Sequence, residues 1–332
     1  MTDQNKPYLQ DLPQNEEKSV ELKDIKPGDI LIFEGDDSIV SDLIKLFTKS
    51  TVTHSAIFVQ NGEKAAFADS GECGIQKHWV TSFSGARGVH VRRLTKKGGF
   101  GNDYDKIVAP VINVANDYIK QGLPYPYNDL VLLAMILIYK NVSQNNLKQT
   151  NVIHFLRFIA AKLKAAIDKK MHKGTHSMVS SSFVYQCFLD ASQSNPDLKL
   201  KVENSDIQPI KAKRSATLLD LYAEHAEEYN YNTKSFAKSK FEPSTDSIDE
   251  VLKELVDKEN ENHIGLTMGN ALSHAIEEFL KVLMNACGIV VHSVQELIEK
   301  ARLQQALFIT PNDLYCHTTN TESVGVIHLK KA

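Results

Sequence analysis

Thr53-His54-Ser55-Ala56-Ile57-Phe58-Val59, followed by Asn61-Gly62, is the stretch from which the fold is read. The run is short, apolar and rich in β-favouring residues, so it predicts a strand. Asn-Gly is the favoured pair for a two-residue hairpin turn, and Lys64 to Asp69 is expected to return as the antiparallel partner. On the N-terminal side, Pro27-Gly28 signals a turn, and the apolar run from Ile30 to Phe33 reads as a buried strand. Ile39, Leu43, Ile44 and Phe47 then fall at helical spacing, with Ser38 or Asp37 placed to cap. On the C-terminal side, Gly74 to Lys77 extends the sheet, and Val89 to Leu94 alternates as a half-exposed strand does. The glycines at 98, 99 and 101 lack the GK[ST] ending of a phosphate loop.

Helical periodicity takes over from Lys106 to about Leu189. The first helix is expected near 106–121. The next contains the apolar run Leu130 to Tyr139, and a third carries Val152, Phe155, Leu156, Ile159, Leu163 and Ile167. Residues 191–246 are polar and read as irregular. Helices are then expected from Ile248, near 267–286 and near 289–306. Thr310-Pro311 caps and opens a last helix, and Ser323 to Leu329 is a final strand. The division expected is a disordered lead-in at 1–22, a core of 23–190 and 306–332, and a mainly helical insertion at 191–305. The fold class is α+β: a small antiparallel sheet packed on one central helix, with the insertion added.

Composition removes several function classes. Thirty-eight basic against 41 acidic side chains leave a net charge of −3, which gives no basic field for nucleic acid. The four cysteines, at 73, 187, 287 and 316, contain no CxxC pair, so neither a zinc ribbon nor a disulfide scaffold is expected, and synthesis in a reducing compartment fits. The N-terminal residues are polar and acidic, without the apolar core of a Sec-type signal, so export would use a signal-independent route. The apolar run 130–139 is about half the roughly twenty residues a membrane span needs and reads as a buried helix. Arg157, Lys162, Lys164, Lys169 and Lys170 give the following helix a basic side, compatible with a membrane surface or with a solvated face.

Three residues are candidates for chemistry. His54 opens a strand, where a ring nitrogen can face a cleft. Asp69 lies on the hairpin partner, where a carboxylate could accept the second imidazole N–H and fix its tautomer, although it could equally be a surface residue. Ser177 to Ser182 precede the helix face Phe183, Val184, Cys187 and Phe188. A helix start favours developing negative charge and offers backbone N–H groups, which suits a nucleophile, while the plainer reading of these serines is an N-cap.

The order of these segments resembles the NlpC-like papain-fold superfamily in its circularly permuted, YiiX-like branch, with lecithin:retinol acyltransferase-like enzymes as distant relatives. The resemblance rests on PGDILIF (27–33), THSAIFV (53–59), the strand ending at Asp69, GLPYPY (122–127), SSSFVYQCF (180–188) and TPNDL (310–314). It covers about 25–190 and 308–330. It implies a cysteine hydrolase that attacks an acyl carbon without metal or organic cofactor. His54 would be the base, Asp69 the orienting residue and position 180 the nucleophile, with its own N–H in the oxyanion hole. Tyr125 and Tyr127 would line the substrate side. Implied substrates are amides such as cell-wall peptides, with acyl esters of lipids as the alternative. A bacterial toxin effector with a delivery or immunity partner is compatible with the same chemistry.

The chain departs from that pattern where it matters most. It reads Ser180-Ser181-Ser182-Phe183-Val184 where the family has Cys-Ser-x-Phe-Val. A Cys replaced to silence the protein, a natural serine nucleophile and a catalytically dead binding protein are all open, the first being preferred because the other site elements are retained. A thiol at ~8.5 can fall several units beside a histidine and a helix start. A serine hydroxyl has no such stored anion, so activity as written is expected to be weak or absent. Cys187 lies seven residues on, roughly 10 Å along the helix at ~1.5 Å per residue, and reads as core.

Overall fold

The computed structural model describes residues 18–62, 64–71, 74–80, 88–96, 99–121, 127–140, 147–170, 179–202, 216–228, 247–255, 266 and 268–327. The chain divides into two compact units, one of 1–128, 178–205 and 309–332, the other of 129–177 and 206–308.

The first unit is an antiparallel six-stranded sheet with helices. Its strands are β1 (Ile30–Glu34), β2 (Val52–Gln60), β3 (Ala66–Gly71), β4 (Gly74–Trp79), β5 (Val89–Leu94) and β6 (Thr321–Ile327). They lie in the order β4-β3-β2-β1-β5-β6. The helices are α1 (Ile39–Thr48), α2 (Tyr104–Gln121), α5 (Ser180–Ala191) and α10 (Pro311–Cys316). The class is therefore α+β, as the patterning implies. β5 is more enclosed than its alternation suggests: Val89, His90, Val91 and Leu94 are all buried. It is an interior strand, paired with β1 on one side and β6 on the other, which the sequence of a single strand does not reveal.

One sheet face buries Leu31, Phe33, Ala56, Phe58, Phe67, Val89 and Val91 with Val20 and Ile25. The end of the lead-in expected at 1–22 is structured. Residues 1–17 lie outside the description, but Ser19 bridges to Val326, and Val20 is buried. The approach is close enough to require Gly325, where φ is +144° and an added Cβ would sit 2.1 Å from the Lys18 carbonyl oxygen.

Polar ties fix the ends of the elements. Ser38 caps α1 by accepting from Ser41 N–H at 3.2 Å. Thr310 and Asp313 form a reciprocal capping box at the start of α10. Asp29, fully buried after the Pro27-Gly28 turn, accepts from Arg93 Nε and Nη2 at 2.7 and 2.5 Å and from Tyr104 Oη at 3.2 Å. One carboxylate thereby joins β1, β5 and α2.

The second unit contains α3 (Asn128–Tyr139, its first residue in the sheet unit), α4 (Gln149–Lys170), α6 (Leu218–Glu228), α7 (Ile248–Leu255), α8 (Asn270–Ala286) and α9 (Val294–Leu307). Leu130 to Tyr139 are buried throughout, as a helix that is apolar all round must be. No helix among the described residues is long and apolar enough to cross a membrane. The polar side of α4 is engaged: Arg157 pairs with Glu278, His154 with Glu254 and Lys164 with Asp168.

Two expectations are corrected here. The helices 129–170 group with 206–308 rather than with the sheet, because α4 packs along α8 and α7; conversely, 191–205 stay with the sheet unit. The segment 191–246 also contains a helix, α6, whose Leu218, Leu219, Tyr222, Ala223 and Ala226 are buried. That spacing was readable, but the long polar stretches on either side hid it.

Candidate active site

The β2–β3 hairpin builds the first half of the site. Its turn places Gly62 at φ +96°, a conformation glycine adopts without steric cost. The register opposes Ile57 to Ala68 and Phe58 to Phe67. Alternation then puts His54 and Asp69 on the face of Phe58 and Phe67. His54 Nε2 lies 2.8 Å from Asp69 Oδ2. Burial alone would raise the Asp69 pKa, but the adjacent imidazoles of His54 and His78 outweigh it and hold the group at about 2. The carboxylate is therefore ionised at neutral pH and accepts, so His54 donates from Nε2, and in the neutral imidazole the basic nitrogen is Nδ1. The Phe33 ring, opposite His54 in the β1–β2 register, meets the imidazole edge-on at 5.6 Å between centroids.

A second histidine completes this cluster and was not singled out from the sequence. His78 Nε2 stands 3.0 Å from the other oxygen, Asp69 Oδ1. The Gly71–Gly74 end of the β3–β4 hairpin sets Asp69 opposite Gln76 and Phe67 opposite His78. The signal was available in the alternation of 74–79, but only once β4 was known to pair with β3 in that register.

Ser180 occupies the first turn of α5, which packs on β2 and β3, the strands of His54 and Asp69. The serines do not act as the N-cap. Val179 holds that position and makes no side-chain cap, while Ser181 donates its hydroxyl to the Ile309 carbonyl at 2.5 Å. Ser180 is 1% exposed, and its Oγ has no hydrogen-bond partner among the described residues. The structure therefore joins His54 to Asp69 and joins Ser180 to neither by a hydrogen bond. Cys187 is buried two turns along the same helix, and burial pushes its thiol well above the usual range.

Tyr127 is partly exposed and takes a left-handed backbone, φ +69°; Tyr125 lies outside the described residues. Asn128, next to Tyr127, donates from Nδ2 to the Ser70 carbonyl and, at 3.3 Å, to Ser70 Oγ. This ties the start of α3 to the residue after Asp69. Among the described residues no cluster of His, Cys, Asp and Glu is arranged to hold a metal ion. Compared with known proteins, the chain matches no protein-family model and no curated protein.

Proposed function

We propose that the chain is built around an acyl-transfer site of the permuted papain-like kind, a cysteine hydrolase plan with serine at the nucleophile position. The observation that carries the reading is the Asp69–His54 hydrogen bond, made on strands against which the Ser180 helix packs. A fixed tautomer with Nδ1 basic is what a nucleophile's proton acceptor requires. In the cysteine form, the thiol at 180 passes its proton to His54 and attacks an acyl carbon. The developing oxyanion is met by the N–H at 180 and the field of the helix start. Collapse of that intermediate expels the amine or alcohol, which takes the proton back from His54. Water, deprotonated by His54, then releases the acyl group. Amides of peptides are the leading substrates and lipid acyl esters the alternative, on the strength of the resemblance alone.

A second reading, that the chain as written holds a ligand without turning it over, is favoured by one observation. The Ser180 hydroxyl has no hydrogen-bond partner among the described residues. Serine must lose its proton during attack and gains nothing from a stored ion pair, so the serine form is expected to be slow or silent.

The test compares Ser180→Cys, with and without His54→Ala, on short-chain p-nitrophenyl esters and on N-acyl peptide amides, followed by intact-mass spectrometry. A covalent acyl adduct on residue 180 that forms with His54 and fails without it is the expected result. Equal adduct formation in both variants, or none in either, would remove the catalytic reading and leave the binding one.

A further inference from the structure

We infer that His78 is a positioning residue of the same site, gripping Asp69 from β4 so that its second oxygen stays aimed at His54. The geometric part needs no assumption about the reaction; the catalytic consequence rests on the function proposed above.

A carboxylate held by one oxygen can swing about its side-chain torsion, and a buried one has little water to steady it. Asp69 is 8% exposed; its Oδ2 is hydrogen-bonded to His54 at 2.8 Å, while its Oδ1 faces His78 Nε2 at an ion-pair distance of 3.0 Å, outside good hydrogen-bond alignment. The three residues come from three adjacent strands, β2, β3 and β4, and share one face.

The histidines are themselves braced. His78 stacks on Phe67 with centroids 5.3 Å apart and planes at 24°. Phe67 meets Phe33 at 5.8 Å, and Phe33 meets His54 at 5.6 Å. An aromatic pair therefore spans the two imidazoles, and Asp69 closes the circuit. The neighbouring ammonium of Lys77 is directed to Gln60 Oε1 and the Trp79 ring, leaving the carboxylate to the histidines. The His78 pKa is raised, first by its interaction with Asp69, which agrees with an imidazole paired to that carboxylate.

The arrangement predicts separable roles for the His78 ring and its N–H. His78→Phe keeps a ring to stack on Phe67 and removes the donor, whereas His78→Gln restores a donor at the reach of Nε2. The imidazole ¹⁵N shifts of His54, read by NMR at pH 8 in the full chain, report its tautomer. The wild-type chain should show the Nε2–H form, His78→Phe a mixture of tautomers, and His78→Gln the Nε2–H form again. In the Ser180→Cys background, kcat/KM should fall about tenfold with His78→Phe and recover with His78→Gln. An unchanged His54 tautomer in a folded His78→Phe chain overturns the inference. A changed tautomer with no turnover in any variant upholds the positioning and removes the proposed function instead.

Discussion

Asp69 takes the Nε2 side of His54, with Oδ2 2.8 Å away, and this fixes Nδ1 as the basic nitrogen of the neutral imidazole. An ionised carboxylate can only accept, so Nδ1 carries the basic lone pair. A thiol placed at 180 should feel both this base and the start of α5.

Reactivity toward iodoacetamide at pH 6 checks that expectation. Ser180→Cys should label about a hundredfold faster than an ordinary thiol near ~8.5, provided the pair lowers its pKa by two units or more. Cys316, exposed, supplies an accessible reference thiol within the same chain, and buried Cys187 the unreactive one. Adding His54→Ala should return the new thiol to the Cys316 rate. Asp69→Ala should slow it less, because orientation is lost but the base stays.

Stability should carry the mark of the Asp69 cluster in its pH dependence. Asp69 sits at about 2, below an ordinary carboxylate, so its contribution is complete above ~4 and is lost as pH falls through about 2. The His78 pKa is raised, so its contribution is complete below ~6.5 and fades as pH climbs through the raised value. Asp69→Asn should therefore cost most between about pH 4 and 6, on the order of 2 kcal/mol, and least at the acid end. Urea unfolding of both chains at pH 2, 5 and 8 measures it, and a cost independent of pH would contradict the assignment.

Gly325→Ala should destabilise the sheet unit by about 2 kcal/mol or more, since the new methyl meets the Lys18 carbonyl oxygen and φ is unfavourable as well. Gly62→Ala has no neighbour within 4 Å of the added carbon and carries only the backbone penalty. Thermal unfolding of the two variants should rank them in that order.

Removal of 191–305 should not leave a soluble core. The deletion takes away α7 and α8, against which α4 packs, and so uncovers the apolar side of α4 that includes Val152, Phe155 and Ile159. Excising both pieces of the helical unit, 129–177 and 206–308, should leave a chain that keeps its sheet. Solubility and circular dichroism of the two deletions distinguish the cases; a monomeric, folded 191–305 deletion would show that α4 does not depend on those helices.

Arg93→Met should be among the costliest single changes in the sheet unit, at about 3–5 kcal/mol, because it leaves the buried Asp29 carboxylate without its cation. Asp29→Asn in the same background should recover part of that loss, and urea unfolding of the single and double variants gives the coupling.

What the sequence determined by itself is what local physics controls. The β2 strand follows from its β-favouring run, the α1 cap from Ser38 and the start of α10 from Thr310-Pro311, because caps and local propensity act within a few residues. The β2–β3 hairpin forms, but its connection spans 61–65, with Gln60 paired to Ala66, rather than the two-residue Asn61-Gly62 turn expected. The uniform burial of 130–139 follows likewise from a helix with no polar side. The proximity of His54 and Asp69 was within reach, since they lie on one hairpin, although a longer connection and a bulge set the actual register.

Tertiary structure alone decided the rest. His78 becomes a partner of Asp69 through the pairing of a third strand, and β5 is buried because β6 arrives from more than two hundred residues away. The allegiance of α4 was set by α7 and α8, far along the chain, rather than by its neighbours in sequence. The serines before Phe183 read locally as a cap, yet Ser181 turns to the Ile309 carbonyl and Ser180 stays enclosed, its hydroxyl without a hydrogen-bond partner among the described residues. Periodicity states which face of an element is apolar; it carries no information on which distant element will cover that face, and burial, charge pairing and the environment of a reactive side chain all depend on the cover.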